Sequence, residues 1–220
     1  MYLSGNFNSS RLIRLLGDST SLDIDASKQD FAEKLSHWLN AGDTVTLHAA
    51  LQSIKTAPKE KPWEASSAIA SEVATEFQRV KTTLMKDIRS TTAYTATEQQ
   101  TDYAPYHKRH LDQQRQMELK IAPLRAHVRQ ALSRASPKLM QLATLDAILE
   151  KTVSGREQRL LSKVPVFLEG RFKHLQKTQA HALDAFGSEW HAFLLAELDV
   201  RLQPVLGLIE AFSNEVKKHP

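Results

Sequence analysis

No cysteine occurs among the 220 residues. Disulfides, cysteine–zinc sites, thiol nucleophiles and iron–sulfur clusters are excluded together by that absence. Glycine and proline are also scarce, at 7 and 8 residues, too few for the many turns of an all-β protein. Aromatic residues make up 7% of the chain, a composition that suits helices better than sheets. No run of about 18 uncharged apolar residues occurs, so no transmembrane helix is expected. Near the N-terminus Arg11 and Arg14 interrupt Leu12, Ile13, Leu15 and Leu16. No long apolar stretch or small-residue cleavage site follows, which points to a short amphipathic helix rather than a signal peptide, and to the cytoplasm as the expected location.

Motifs of the common catalytic and cofactor classes are missing as well. The scattered glycines form neither G-x-x-x-x-G-K-[ST] nor G-x-G-x-x-G, and G-x-S-x-G and H-E-x-x-H do not occur. Glu-x-x-His is absent, which argues against a ferritin-like di-metal bundle. The expectation is a protein that is not an enzyme and carries no cofactor and no metal.

What the chain does have is hydrophobic periodicity. Forty-one per cent of residues are hydrophobic and 25% charged, enough apolar surface for a packed core. Ser9 or Ser10 can cap a helix carrying Leu12 to Leu16, with Gly17-Asp18 as its stop. Ser27 and Asp30 resemble a capping box ahead of Phe31, Leu35, Trp38 and Leu39, which share one helix face. Asn40 to Asp43 reads as a turn, and Val45, Leu47, Ala50, Leu51 and Ile54 as a third helix. Residues 56–62, with two prolines among polar residues, form the best candidate boundary. Beyond it Ile69, Val73, Phe77, Val80, Leu84 and Ile88 step by three or four. This narrow stripe suits a helix packed on one or two others.

The stretch 90–104 lacks a stripe and reads as a hinge, with Pro105 in the first turn of the next helix. Met117, Ile121, Leu124, Val128 and Ala131 follow as a short heptad run, and Pro123 should kink or break it. Ser136-Pro137 reads as an N-cap followed by proline at the first helical position, and Ser154-Gly155 as that helix's stop. From Arg156 to Val216 the periodicity is nearly continuous through Leu160, Val164, Leu168, Phe172, Phe186, Trp190 and beyond, with Pro165, Gly187 and Pro204 expected to divide or bend it.

Charge is unevenly spread. Residues 101–180 carry 15 basic and 7 acidic groups, whereas 181–220 carry 3 and 6. A basic middle and an acidic end favour self-pairing or a polyanion partner. The candidate polyanion-binding residues are Lys108, Arg109, Arg115, Lys120, Arg125, Arg129, Arg134 and Lys138. No aromatic for base stacking occurs between 107 and 166, which counts against single-strand readout. An ordinary solvated face, or a protein contact, is the blander and favoured reading.

Other groupings are weaker. His107 and His110 could begin a metal site, but their cationic neighbours Lys108 and Arg109 make a solvated basic helix start the better reading. His174, His181, Asp184 and His191 fall opposite the apolar stripe, on a side expected to face solvent. The helices at 27–39 and 44–54 have helix-turn-helix length, yet the second holds no Lys or Arg before Lys55, so core packing is favoured over DNA reading. Leu198, Leu202, Val205, Leu206, Ile209 and Phe212 are the most apolar late segment. They read first as core, with a partner-binding patch as the alternative.

Three stretches together carry a family resemblance: Ser9-Ser10-Arg11-Leu12-Ile13-Arg14-Leu15-Leu16, Phe31-Ala32-Glu33-Lys34-Leu35-Ser36-His37-Trp38-Leu39, and Ala196-Glu197-Leu198-Asp199-Val200-Arg201-Leu202-Gln203-Pro204-Val205. The chain resembles an uncharacterised proteobacterial family labelled only as a domain of unknown function. The resemblance spans nearly the whole chain and brings no activity, cofactor or site residue with it. It implies members encoded beside OmpA-like and proton-channel-like envelope proteins, and hence a cytoplasmic accessory to an envelope complex.

The sequence therefore predicts an all-α protein. A small helical subdomain over 1–55 and a linker at 56–62 precede long kinked helices over 63–220, packed as an elongated bundle or antiparallel coiled coil. The expected function is a non-enzymatic helical interaction or scaffold protein, with a protein partner that is a second copy (a homo-oligomer) or an envelope-complex component. The alternative is a polyanion binder that takes nucleic acid or an anionic membrane surface through the basic region 101–180.

Overall fold

The computed structural model describes residues 10–20, 41–56, 67–91, 102–178 and 182–218. Among them there is no strand, and the fold is all-α. The helices are α1 (Arg11–Thr20), α2 (Ala41–Thr56), α3 (Ser67–Ser90), α4 (Ala104–Ala135), α5 (Pro137–Leu161), α6 (Lys163–Thr178) and α7 (Ala182–Lys218). The expected helix with Phe31, Leu35, Trp38 and Leu39 lies outside the described residues, as do all but Thr56 of the expected linker and residues 92–101 of the expected hinge.

The ends of these helices follow local chemistry. Asp102 Oδ1 accepts from the Ala104 backbone N–H at 3.2 Å, capping α4 with Pro105 just inside it. Ser136 Oγ accepts from the Leu139 N–H at 3.2 Å and Pro137 opens α5, the capping arrangement read from the sequence.

Several expected stops are overridden. α1 continues through Gly17-Asp18 to Thr20, α2 already begins at Ala41, and α5 runs through Ser154-Gly155 to Leu161. A helical glycine costs only about 1 kcal/mol relative to alanine, and burying one leucine side chain offsets that; Leu12 and Leu161 are such residues. Pro123 and Pro204 lie inside α4 and α7 without ending them. Proline at 123 removes the hydrogen bond to the Leu119 carbonyl. Leu119 is exposed, so water can serve that oxygen. Gly187 likewise sits within α7.

The chain divides into two compact units, each drawing on discontinuous segments. The first comprises 1–27, 82–119 and 159–201; the second comprises 28–81, 120–158 and 202–220.

The first unit is built on aromatic side chains. The Tyr106 ring meets Phe186 edge-on at 4.9 Å and Trp190 at 5.2 Å between centroids, while Phe172 meets Phe186 at 5.1 Å. Such edge-to-face pairs contribute about 0.5–1.5 kcal/mol beyond the area they bury. Tyr103 joins this cluster and donates its hydroxyl to the Pro165 carbonyl at 2.6 Å. Burial, aided by the Glu169 charge, pushes its phenol well above the ordinary value. Leu84, Ile88, Met117, Leu168, Phe193 and Leu194 complete this core.

The second unit buries Val73, Phe77 and Val80 of α3, then Ile121, Leu124, Val128 and Leu132 of α4. Leu139 and Ala143 of α5 join them, with Leu202, Val205, Ile209 and Phe212 of α7. The stripes over 73–88 and 117–128 are thus core, as their spacing predicts, whereas Ile69 at the start of the first is exposed and Ala131 at the end of the second is half-buried. α2 departs from expectation: Val45 is 70% exposed and Leu51 41%, so these two residues are not core.

Replacing Ser136 with alanine removes the α5 cap and is expected to cost about 1 kcal/mol of unfolding free energy. Urea denaturation of Ser136→Ala against the parent chain measures it.

Candidate functional site

The densest polar arrangement in the first unit surrounds a buried carboxylate. Glu197 lies on the core side of α7, seven residues after Trp190, and is fully buried. A bare carboxylate there would cost several kcal/mol, and three side chains offset that cost. Arg201, one turn further along α7, donates Nε–H and Nη2–H to Oε1 at 2.9 and 2.8 Å. From α4, Gln114 Nε2 donates to Oε2 at 3.0 Å and His110 Nε2 donates to the same oxygen at 3.2 Å. Gln114 Nε2 also reaches the Leu161 carbonyl at 3.2 Å. Burial alone would raise the Glu197 carboxyl. The His110 hydrogen bond, the Arg201 charge and the Gln114 contact outweigh it and hold the group below the usual carboxylate range.

A second polar knot sits on the same helices. Gln113 donates to Thr91 Oγ1 at 2.7 Å, Thr91 Oγ1 donates to the Asp87 carbonyl at 2.6 Å, and His191 Nε2 donates to the Thr91 carbonyl at 2.8 Å. Three buried atoms here find no protein partner: His110 Nδ1, Gln113 Oε1 and Trp190 Nε1.

His110 therefore corrects the expectation of a solvated basic helix start, because it is fully buried. It lies four residues after the buried Tyr106 and seven before the buried Met117. Extending the Met117 stripe backwards would have placed it on the core side. His191 is half-buried and hydrogen-bonded, not simply solvent-facing, whereas His174 is exposed. His181 lies outside the described residues, and nothing is described of the Asp184 side chain.

The candidate basic residues are not all at the surface. In the second unit Arg125 donates to both Asp146 oxygens at 2.8 and 2.6 Å. Arg129 donates to Asp146 at 3.1 Å and to Glu150 at 2.5 Å. Both arginines are mostly buried, so they serve as ties between α4 and α5. Lys138 approaches Glu215 at 3.7 Å while remaining largely exposed, and exposed pairs of this kind contribute little. Lys120 is half-buried and Arg134 exposed. In the first unit Lys108, Arg109 and Arg115 are exposed.

Of the candidate partner residues, Leu198, Leu202, Val205, Ile209 and Phe212 are buried within the chain, and Leu206 is half-buried. That segment is core and leaves no open patch at those five positions. Exposed apolar side chains lie elsewhere: Leu111 (43% exposed) and Leu119 (58%) on α4 share the outer side of the helix with Lys108 and Arg115. The steps 108, 111, 115 and 119 keep to one face, opposite buried Tyr106, Met117 and Gln113.

Among the described residues no group of three or more His, Asp or Glu side chains could hold a metal ion, and no helix is long and apolar enough to cross a membrane.

Truncating Glu197 to alanine leaves Arg201 and His110 without their shared partner in a dry site. The expected cost is about 3–5 kcal/mol, read from urea unfolding. Because the folded carboxyl is held low, its stabilisation is complete above the ordinary carboxylate value of about 4.3 and is lost as pH falls through the depressed folded value. Stability followed from pH 5 down to 3 should decline less steeply in Glu197→Gln than in the parent chain.

No curated protein and no solved structure matches the chain significantly. A family model described as "Protein of unknown function (DUF3348)" matches residues 3–214. The chain belongs to that family.

Proposed function

We propose, for this member of a family without an assigned activity, a non-enzymatic role as a helical interaction or scaffold protein that docks a protein partner on the outer face of α4. The observation that carries this reading is the pair Leu111 and Leu119, two turns apart and exposed, set around Arg115 with Lys108 beside them. Single exposed leucines are ordinary on a protein surface. Two on one helix face, bordered by charge, have the composition of a helix-docking site, in which leucines supply buried area and the rim charges select the partner. A second copy of the chain is the first partner to test. The family resemblance adds a cytoplasmic setting next to envelope proteins as the context for such a contact.

A second reading keeps the polyanion. Its support is that Lys108, Arg109 and Arg115 stay exposed, while Arg125 and Arg129 are committed to Asp146 and Glu150. Asp112 and Glu118 are also exposed on this stretch, which weakens the attraction for a polyanion and suits a mixed-charge protein surface.

Light scattering coupled to size exclusion, at low and moderate salt, separates the two. The scaffold reading expects a discrete assembly of the purified chain that persists at moderate salt. Leu111→Glu combined with Leu119→Glu should dissolve it while leaving helicity and the unfolding midpoint within experimental scatter, because neither leucine is core. A monomer that binds duplex DNA or anionic vesicles at low salt, with affinity falling steeply as salt rises, supports the polyanion reading instead.

A further inference from the structure

We infer that the outer face of α4 meets its own copy in reverse. Two chains pair antiparallel through 108–119, with Arg115 of each against Asp112 of the other, and Lys108 against Glu118. The inference rests on the α4 docking reading above, and names the partner and the register of that same face.

The face lies wholly within the first unit. Its charged side chains Lys108, Asp112, Arg115 and Glu118 are all exposed. At 3.6 residues per turn, Lys108, Asp112, Arg115 and Leu119 fall in a band about 60° wide, with Leu111 and Glu118 along one edge. Spacings of three and four would permit ion pairs within the helix, but the structure joins these groups to nothing. Among the described residues of the first unit, ion pairs instead join Arg171 to Glu189, Lys173 to Glu169 and Arg201 to Glu197.

The order of signs carries the inference. From Lys108 to Glu118 the face reads plus, minus, plus, minus. Reversed, it reads minus, plus, minus, plus, the complement of itself. Setting Asp112 opposite Arg115 of a second copy sets Arg115 opposite that copy's Asp112, because a two-fold pair repeats each contact. The same register brings Lys108 within one residue of Glu118, an offset of about 1.5 Å that a lysine side chain spans. Leu119 then faces the aliphatic stem of Lys108, and Leu111 that of Arg115, so the apolar and charged contacts close over the same turns.

Other occupants fit less well. A parallel copy in register would set each charge against its own kind, which is costly. A polyanion would meet Asp112 and Glu118 as repulsions. The antiparallel contact is short, about 18 Å of helix, so the leucines supply attraction while the charges choose direction and register.

Sedimentation equilibrium of the full chain at moderate salt measures the dimer constant. Asp112→Arg and Arg115→Asp, made singly, each turn two attractions into two repulsions and should weaken the dimer about tenfold. Asp112→Arg combined with Arg115→Asp re-forms both pairs with signs exchanged and should return to within about twofold of the parent chain. The chain has no cysteine, so Ala104→Cys gives a single spin-label site on exposed Ala104. The two labels should stand roughly 30 Å apart, since position 104 then faces position 123, against roughly 10 Å in a parallel pair. A dimer indifferent to the single reversals, a double variant no better than the singles, or a short label distance overturns the inference. The docking reading survives those results if Leu111→Glu with Leu119→Glu still dissolves the assembly. A monomeric parent chain, or an assembly untouched by the leucine replacements, overturns both.

Discussion

A carboxylate on the core face of a long helix must be neutralised where it stands, and Glu197 sets that demand for the first unit. Between Trp190 and Leu198 on α7 every neighbour facing inward is apolar, and the carboxylate tolerates that setting because α4 and α7 bring donors to both of its oxygens. The requirement fixes more than one pair. Gln114 must reach across and His110 must turn its Nε2 inward. α4 is then registered against α7, with Tyr106 one turn away from His110 seated on Phe186 and Trp190. A shift of one residue along either helix would break the polar contacts and the aromatic packing together.

The second unit solves a related problem with less burial. Arg125 and Arg129 stand on α4, and Asp146 and Glu150 on α5, on either side of the Ser136 connection. The four groups pair as a mesh rather than as isolated bridges, which holds the returning helix in register. Burial alone would lower the Arg125 guanidinium, and the Asp146 and Glu150 contacts raise it overall. Pairs of this partly buried kind contribute more than exposed ones such as Glu76–Arg79, whose mutual hydrogen bonds lie in solvent. The consequence for function is direct. Arg125 and Arg129, which looked available for a polyanion, are used inside the fold, whereas Lys108, Arg109 and Arg115 stay exposed on the stretch that carries Leu111 and Leu119.

Much of the fold was legible because its signals are local or periodic. The runs Val73 to Ile88 and Met117 to Val128 recur every three or four residues and are buried as that spacing demands. Ser136-Pro137 caps α5 through atoms three residues apart. Stops were less legible. Gly17, Gly155, Pro123 and Pro204 each carry a local penalty of a few kcal/mol at most, and neighbouring burial outweighs it. The candidate site was barely legible. His110 looked like part of a basic run with Lys108 and Arg109, since its partner stands 87 residues away on another helix.

The order of apolar and polar residues along the chain determined by itself that helices would form, and which side of most of them would be shielded from water, because that choice depends only on near neighbours. Tertiary structure alone decided which charges are spent and which remain. Whether an arginine meets a carboxylate or solvent, and whether a histidine meets a glutamate or water, depends on groups brought together from distant positions. Coulomb energy and desolvation follow spatial separation and burial, not separation along the chain.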